Sequence, residues 1–560
     1  MTMQVFPTAF VVARDLKRLQ QIVTILLRFG FGDLVRRLGL HRLLKQAGLA
    51  AEPAAGSAAS EEESPARLRL AIEALGPTFI KLGQILATRS DLLAPEWIAE
   101  LEKLHSRVPP LPYEALAPLV EAALGGAPDT IFARFDRAPL ASGSIAQVHR
   151  AALRDGTEVV VKIRRPGLRP MVEADLRLLA HATKLAESEL PELRRYRPEA
   201  ITRHLATAIG EELDLANEGR NAEQIAGQFE DRPDIVIPGI HWDWTSEEVL
   251  VQDFVDGIQP SDEPALAAAG LDRRRLAARS SNAFLQMMLI DGVFHADPHP
   301  GNVLCLADDR IAYLDFGTVG RLSARRRDQL VTLMAAIVSG SAAGLREVLL
   351  DWAGQPDVDA RPLEEAAEAF LAKHTRGALG QLKLGQALAD FVALMRDHDL
   401  ALPPDLALVL KALMTAEGVV RRLDPDFDVV REVEPVVRRA LTARYAPDAL
   451  LQRAGAAFLE LHALAGDAPG ILRRVLRRLE KGSIKAQIEI GRIDRFGRSI
   501  ERGATRIAIA IVTAAFVVGL APILADAGPR LLGIPVFALL GGLIVLAGIA
   551  WLVLSGRRRG

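Results

Sequence analysis

The residues best suited to chemistry are His295-Ala296-Asp297-Pro298-His299-Pro300-Gly301-Asn302 and, a short β-rich interval later, Asp315-Phe316-Gly317. Asp297 and Asn302 are five positions apart, and Asn302 and Asp315 thirteen. H-x-D-x-x-x-x-N followed by D-F-G is the spacing of kinase-type phosphoryl transfer. That chemistry needs a carboxylate facing the nucleophile, here Asp297. It also needs an amide and a second carboxylate, here Asn302 and Asp315, to hold Mg²⁺ on phosphate oxygens. A His/Asp cluster also suits a metal hydrolase, but the trailing Asp-Phe-Gly and the upstream Lys162 weigh against that reading.

Such residues need elements to position them. Residues 146–153 and 158–163 are β-rich runs around an Asp155-Gly156 turn, which is a hairpin signal. Lys162 interrupts the second run, where a lysine can extend to a phosphate beside the sheet. Residues 249–257 read as a strand ending in an acidic, glycine-containing bend whose backbone can meet a purine ring. No G-x-G-x-x-G precedes Lys162; residues 139–145 stand in its place. They read as a small-residue loop in which Ala141, Ser142, Gly143 and Ser144 let the backbone approach phosphates. Residues 322–440 carry the helical pattern of a C-terminal lobe, and 441–504 that of further helices.

Composition bounds the rest. The 560 residues are 50% hydrophobic and 25% charged, which excludes a largely disordered chain and predicts several structural units. The 68 basic and 70 acidic residues nearly cancel, so nucleic acid gains no support as a partner. The single cysteine, Cys305, excludes a disulfide framework and a cysteine-rich zinc site. Lysine is scarce, 11 of the 68 basic residues, so a lysine in a special context stands out.

The mean hydropathy of +0.16 is positive because apolar residues concentrate near the C-terminus. Residues 507–525 and 531–554 are uncharged runs that, as helices, would span roughly 28 and 36 Å, enough for a bilayer core. Joined by a turn at 526–530 and flanked by arginines, they predict a transmembrane helical hairpin with both ends in the cytoplasm. Residues 10–45 read as amphipathic helices with basic faces, equally suited to a membrane surface or to packing on their own domain. Residues 47–65 read as a flexible linker.

Upstream of the catalytic spacing lies Leu75-Gly76-Pro77-Thr78-Phe79-Ile80-Lys81-Leu82-Gly83-Gln84. With the motifs above, it resembles the K-x-G-Q extension of the AarF/UbiB family of atypical kinase-like proteins. The tetrapeptide recurs at Lys383-Leu384-Gly385-Gln386 by coincidence; context and position single out Lys81 and Gln84. Glu212-Leu213-Asp214 is similar to the family's E-x-D motif, with Glu218 in the same helix-forming stretch. The resemblance implies that Glu218 pairs with Lys162, while Glu212, six positions away and off that face, points toward the extension with Asp214. It also implies that Lys81 and Gln84 restrict the acceptor. The family's loop before the lysine strand is usually alanine-rich, so Gly143 is a departure that adds access to positive φ.

The implied fold is α+β: a protein-kinase-like two-lobe fold, helix-rich, with an N-terminal helical extension and a C-terminal transmembrane helical hairpin. The expected boundaries are 1–65 for the N-terminal helices and linker, 66–130 for the extension, and 131–258 and 259–440 for the lobes. A helical connector at 441–504 and the hairpin at 505–556 follow. The implied activity is that of a Mg²⁺-dependent, ATP-binding ATPase at the bacterial inner membrane, its catalytic domain in the cytoplasm. It would support ubiquinone biosynthesis. The implied partners are the lipid bilayer, isoprenoid quinone precursors and quinone-biosynthesis enzymes, with a homodimer left open. The rival readings are a small-molecule phosphotransferase of the aminoglycoside or choline kinase type, a membrane protein kinase, and an inactive scaffold.

Overall fold

A computed structural model describes residues 15–37, 64–87, 93–104, 108–189, 198–353, 360–375, 384–398, 400, 404–444, 530–531 and 534–535. Residues 1–450 form one compact unit and 451–560 a second.

The first unit contains a four-stranded antiparallel sheet, β1 (Arg134–Ser142), β2 (Ala146–Ala152), β3 (Glu158–Arg164) and β5 (Val249–Asp253), hydrogen-bonded in that order. Alternation sets its faces. Val159, Val161 and Ile163 join Val249, Val251, Phe132 and Leu116 in one apolar cluster, so Lys162 is directed to the opposite face. A second cluster builds the helical lobe. It includes residues of α8 (Arg273–Leu285), α9 (Ala324–Ser339), α10 (Ala342–Ala353), α11 (Ala360–Thr375), α12 (Leu384–Asp397), α13 (Pro404–Leu423) and α14 (Val429–Arg444).

Within that lobe β6 (Val293–His295) pairs with β9 (Val319–Arg321), while β4 (Ile235–Val236), β8 (Ile311–Tyr313) and β7 (Val303–Cys305) form a small sheet. Strands β6 and β7 bracket the segment that runs from His295 to Asn302. Cys305 is buried on β7, where burial pushes its thiol up to about 12. Residues 254–257 link the two parts of the unit. Gly257 is required there, because a Cβ would stand 2.6 Å from Leu306 and 2.9 Å from Leu304.

The N-terminal helix α1 (Leu16–Arg28) resolves one open expectation. Its Leu19, Ile22 and Val23 are buried with Ile72 and Leu75 of α2 (Ser64–Leu75) and Phe79 and Ile80 of α3 (Pro77–Ala87). Arg18 grips the buried Asp175 of α5 (Leu168–Glu189) through Nε at 2.6 Å and Nη2 at 3.0 Å, and Thr78 Oγ1 donates to the same carboxylate at 2.7 Å. The apolar face of this helix therefore packs on its own domain.

Other expectations shift. Positions 139–142 belong to β1, so the expected loop reduces to a turn at 143–145. Gly143 does not use positive φ; its N–H donates to the Ala146 carbonyl at 2.9 Å. The stretch holding Glu212 and Glu218 is two helices, α6 (Pro198–Glu212) and α7 (Leu215–Ala226). The break has a local cause: Asp214 caps α7, accepting from the N–H groups of Ala216 and Asn217.

Among the described residues no helix is long and apolar enough to cross a membrane. The expected spans at 507–525 and 531–554 lie almost wholly outside the described residues, as do Lys383, the connector beyond 444 and the linker at 47–65 except Ser64 and Pro65, which open α2. At the expected start of the second span, Arg530–Leu531 pairs antiparallel with Ile534–Pro535. These positions are extended rather than helical, which suits Pro535, whose missing N–H disfavours a helix interior.

Candidate active site

Lys162 lies near the end of β3, opposite Leu250 of β5 and Val148 of β2. Its Nζ donates to both carboxylate oxygens of Glu218 at 2.8 Å and stands 3.4 Å from Asp315 Oδ2. Burial alone would push the ammonium down; the Asp315 and Glu218 carboxylates outweigh it and hold Lys162 above its ordinary value. The Lys162 charge holds Asp315 down at about 2. Burial pushes the Glu218 carboxyl up to about 7 against the pull of Lys162.

Asp315 adopts a left-handed backbone, φ 57°, and its Oδ1 accepts from the Gly317 N–H at 3.2 Å. A non-glycine residue held there stores roughly 1–3 kcal/mol of strain, a feature concentrated at functional sites. Helix α7 secures this turn twice. Glu218 grips Lys162, and one turn further Asn221 Nδ2 donates to the Phe316 carbonyl at 3.1 Å while its Oδ1 accepts from Arg321 at 2.8 Å.

The segment 295–302 is held by its first residue. His295 is buried, its Nε2–H donates to the Leu314 carbonyl at 3.0 Å, and its Nδ1 accepts from the Asp297 N–H at 3.2 Å. Burial keeps this imidazole below its ordinary value and so neutral. The loop closes on itself through His299 N–H to Asp297 O and Asn302 N–H to His299 O, each 2.8 Å. The backbone N–H of Leu314 donates to Asn302 O at 2.8 Å, which fastens the stretch leading to Asp315 against the loop. Asp297 itself accepts from Lys411 Nζ of α13 at 3.1 Å.

The donor set suits Mg²⁺ shared with phosphates. Asn302 and Asp315 offer oxygen ligands, and among the described residues no cluster of three or more His, Cys, Asp or Glu side chains forms an all-protein metal cage. Mg²⁺ is characteristically held by one or two protein oxygens, with water and phosphate completing the shell. In the linker, the Phe254 N–H is taken by Glu158 O and the Ile258 N–H by Cys305 O. Among the described residues no backbone bond takes the N–H groups of Val255, Asp256 or Gly257.

The remaining sequence-derived residues fall elsewhere. Lys81 pairs with Glu212, which ties the extension to α6. Gln84 Nε2 donates to the Leu104 carbonyl at 3.4 Å, inside the extension. Asp214 is the α7 cap and also receives Arg220 at 2.9 Å. Ala141 and Ser142 pair with Val148 and Gln147 across the sheet, and Gly143 and Ser144 make the turn. Arg165 braces that turn, donating to Gly143 O at 2.9 Å and Ser142 Oγ at 2.8 Å. Asp253 receives His241 at 2.8 Å and the Gly239 N–H at 3.0 Å.

Sequence reasoning missed Arg165, Asn221 and Lys411. Asn221 had a local signal, its spacing of three from Glu218 on one helix. The only signal for Lys411 was the rarity of lysine.

The site's geometry meets its sequence relatives here. Residues 103–349 match the ABC1 atypical kinase-like domain, 367–428 the UbiB helical domain and 491–558 the ABC1/UbiB kinase-like C-terminal domain. A probable protein kinase UbiB of Xylella fastidiosa (strain 9a5c) is 34% identical over 494 residues, covering 86% of this chain and 89% of that protein. The chain belongs to the ABC1/UbiB family of atypical kinase-like proteins. A second UbiB-family relative, the probable protein kinase UbiB of Xanthomonas campestris pv. campestris (strain B100), is 33% identical over 564 residues, covering 98% of this chain and all of that protein. A solved Mycobacterium tuberculosis chain, described as Rv3197 in complex with erythromycin, is 21% identical and covers 65% of this chain and 92% of its own length, with a TM-score of 0.46. Within the ABC1/UbiB match, the first segment contains Lys162, Glu218, Asp297, Asn302 and Asp315, and the helical segment contains Lys411.

Proposed function

We propose that this chain is a membrane-anchored, atypical kinase-like ATPase that binds Mg·ATP and supports isoprenoid quinone (ubiquinone) biosynthesis. The observation that carries the nucleotide reading is the bidentate Lys162–Glu218 pair set against Asp315. It readies an ammonium for the α- and β-phosphates beside a metal-binding carboxylate. The backbone of residues 255–257 meets the purine, and the turn at Gly143–Ser144 covers the phosphates. Asn302 and Asp315 hold the metal, which when bound neutralises charge on the phosphate oxygens.

Asp297 orients the attacking water and receives its proton. The water oxygen forms a bond to the γ-phosphorus, the bond from that phosphorus to the β-bridging oxygen breaks, and ADP and inorganic phosphate leave with the released proton. Lys81 and Gln84 restrict the acceptor, which favours hydrolysis or action on lipid intermediates and enzyme assembly over protein phosphorylation. An apolar cavity in the helical lobe, lined by Phe284, Trp352, Phe370, Phe391 and Leu413, supports an apolar partner.

The pathway is tested in a strain lacking the chain, complemented with the wild type or Asp315→Asn. Isoprenoid quinone should fall on deletion and return only with the wild type. Unchanged quinone on deletion removes the pathway assignment.

A further inference from the structure

The catalytic segment contains no lysine or arginine. Its two histidines serve the backbone: His295 as described, and His299 through Nδ1, which accepts from the Gly301 N–H at 3.0 Å. Lys162 is committed to Glu218 and Asp315. The cation on Asp297 instead comes from 114 positions away, where Lys411 Nζ donates to Asp297 Oδ2 at 3.1 Å.

The backbone behind Lys411 is fixed. Val409 and Ala412 are fully buried and Leu413 nearly so, which anchors this turn of α13 in the core of the helical lobe. The two paired side chains are 38% and 37% exposed, so the pair stands at solvent, within reach of an incoming acceptor. Exposed ion pairs of this kind contribute little to stability. A lysine ammonium also carries three N–H donors, and Asp297 occupies one.

We propose that Lys411 is the positioning residue of the phosphoryl-transfer step. It holds the Asp297 carboxylate toward the acceptor, supplying from the helical lobe the cation that the catalytic segment lacks. The inference rests on the phosphoryl-transfer reading above and adds a requirement to it: the helical lobe must be docked for Asp297 to be aimed. Losing the lysine should impair the chemical step, while nucleotide binding, served by Lys162 and the 254–257 linker, persists.

The test uses the full chain in detergent, with Mg·ATP, measuring phosphate release and thermal unfolding. Lys411→Met should lower kcat by about ten-fold or more with KM changed less than about three-fold, and Lys411→Arg should recover most of the rate. Lys411→Met in an Asp297→Asn background should cost no more than Asp297→Asn alone, because the lysine acts through that carboxylate. If the Met variant unfolds, Lys411→Gln gives the same reading. A kcat within about two-fold of wild type, or a rise in KM alone, overturns the proposal and leaves the ATPase reading standing. A wild-type chain that releases no phosphate overturns the ATPase reading and this inference with it.

Discussion

Lys162 and Glu218 are 56 positions apart in sequence, yet both carboxylate oxygens lie 2.8 Å from the lysine Nζ. The pair joins the middle of a sheet to the helix that also holds the Phe316 backbone. A defect in the pair should therefore reach both the Lys162 ammonium and the turn that carries Asp315.

Glu218→Ala tests that coupling. It leaves Lys162 facing Asp315 alone, so the ammonium should swing onto the carboxylate proposed to hold Mg²⁺. Mg·ATP turnover should fall by about 10²-fold, in line with losing a preorganised electrostatic group. Phosphate-release kinetics check it, and turnover within two- or three-fold of wild type would count against the pair's role.

The docking of α1 is a matter of stability. Arg18→Ala leaves Asp175, which has no exposed side chain, with one fewer ionic partner. Removing one member of a buried ion pair costs about 3–5 kcal/mol. Urea unfolding should show a loss of that size with an unchanged slope, and a shift below about 1 kcal/mol would mean that α1 is not held by this pair.

His149 gives a pH dependence. It is fully buried, its Nδ1–H donates to the Asp136 carbonyl at 2.9 Å, and its Nε2 accepts from Gln147 at 3.1 Å. Burial holds its pKa below the ordinary 6.5, so the unfolded chain takes the proton first as pH falls. Its contribution to stability is whole above about 6.5 and is lost as pH drops below that value. Melting temperatures from pH 8 to 5 should fall less steeply at the acid end for His149→Phe than for the wild type. Parallel curves would contradict the assignment.

The parts legible in the sequence were those where chemistry dictates residue type at fixed spacing. Asp297, Asn302 and Asp315 follow one another along a loop and the short strands after it, and Lys162 sits in a β-hairpin whose turn is written in Asp155-Gly156. Contacts made across long separations were less legible. Lys411 occupies an ordinary position on an amphipathic helix, and only the fold brings it to Asp297. Arg18 finds Asp175 157 positions away, so its helix could not be told from a membrane-surface helix by pattern.

Local hydrogen bonding adds to two readings. Asp214, half of an acidic motif, also gives its side chain to the N–H groups of the helix it starts. The small residues at 139–142 look like a loop, yet they continue β1 through irregular register against β2.

The most direct test is Mg·ATP-dependent phosphate release by the full chain, wild type against Asp315→Asn. The substitution removes the carboxylate charge that faces Lys162, the charge proposed to hold Mg²⁺, while preserving its shape. Turnover should fall by about 10²–10³-fold, with a cooperative melting transition retained but lowered by the loss of the carboxylate's attraction to Lys162. Equal turnover in the two proteins would contradict the account, because the site described would then not be where the chemistry happens.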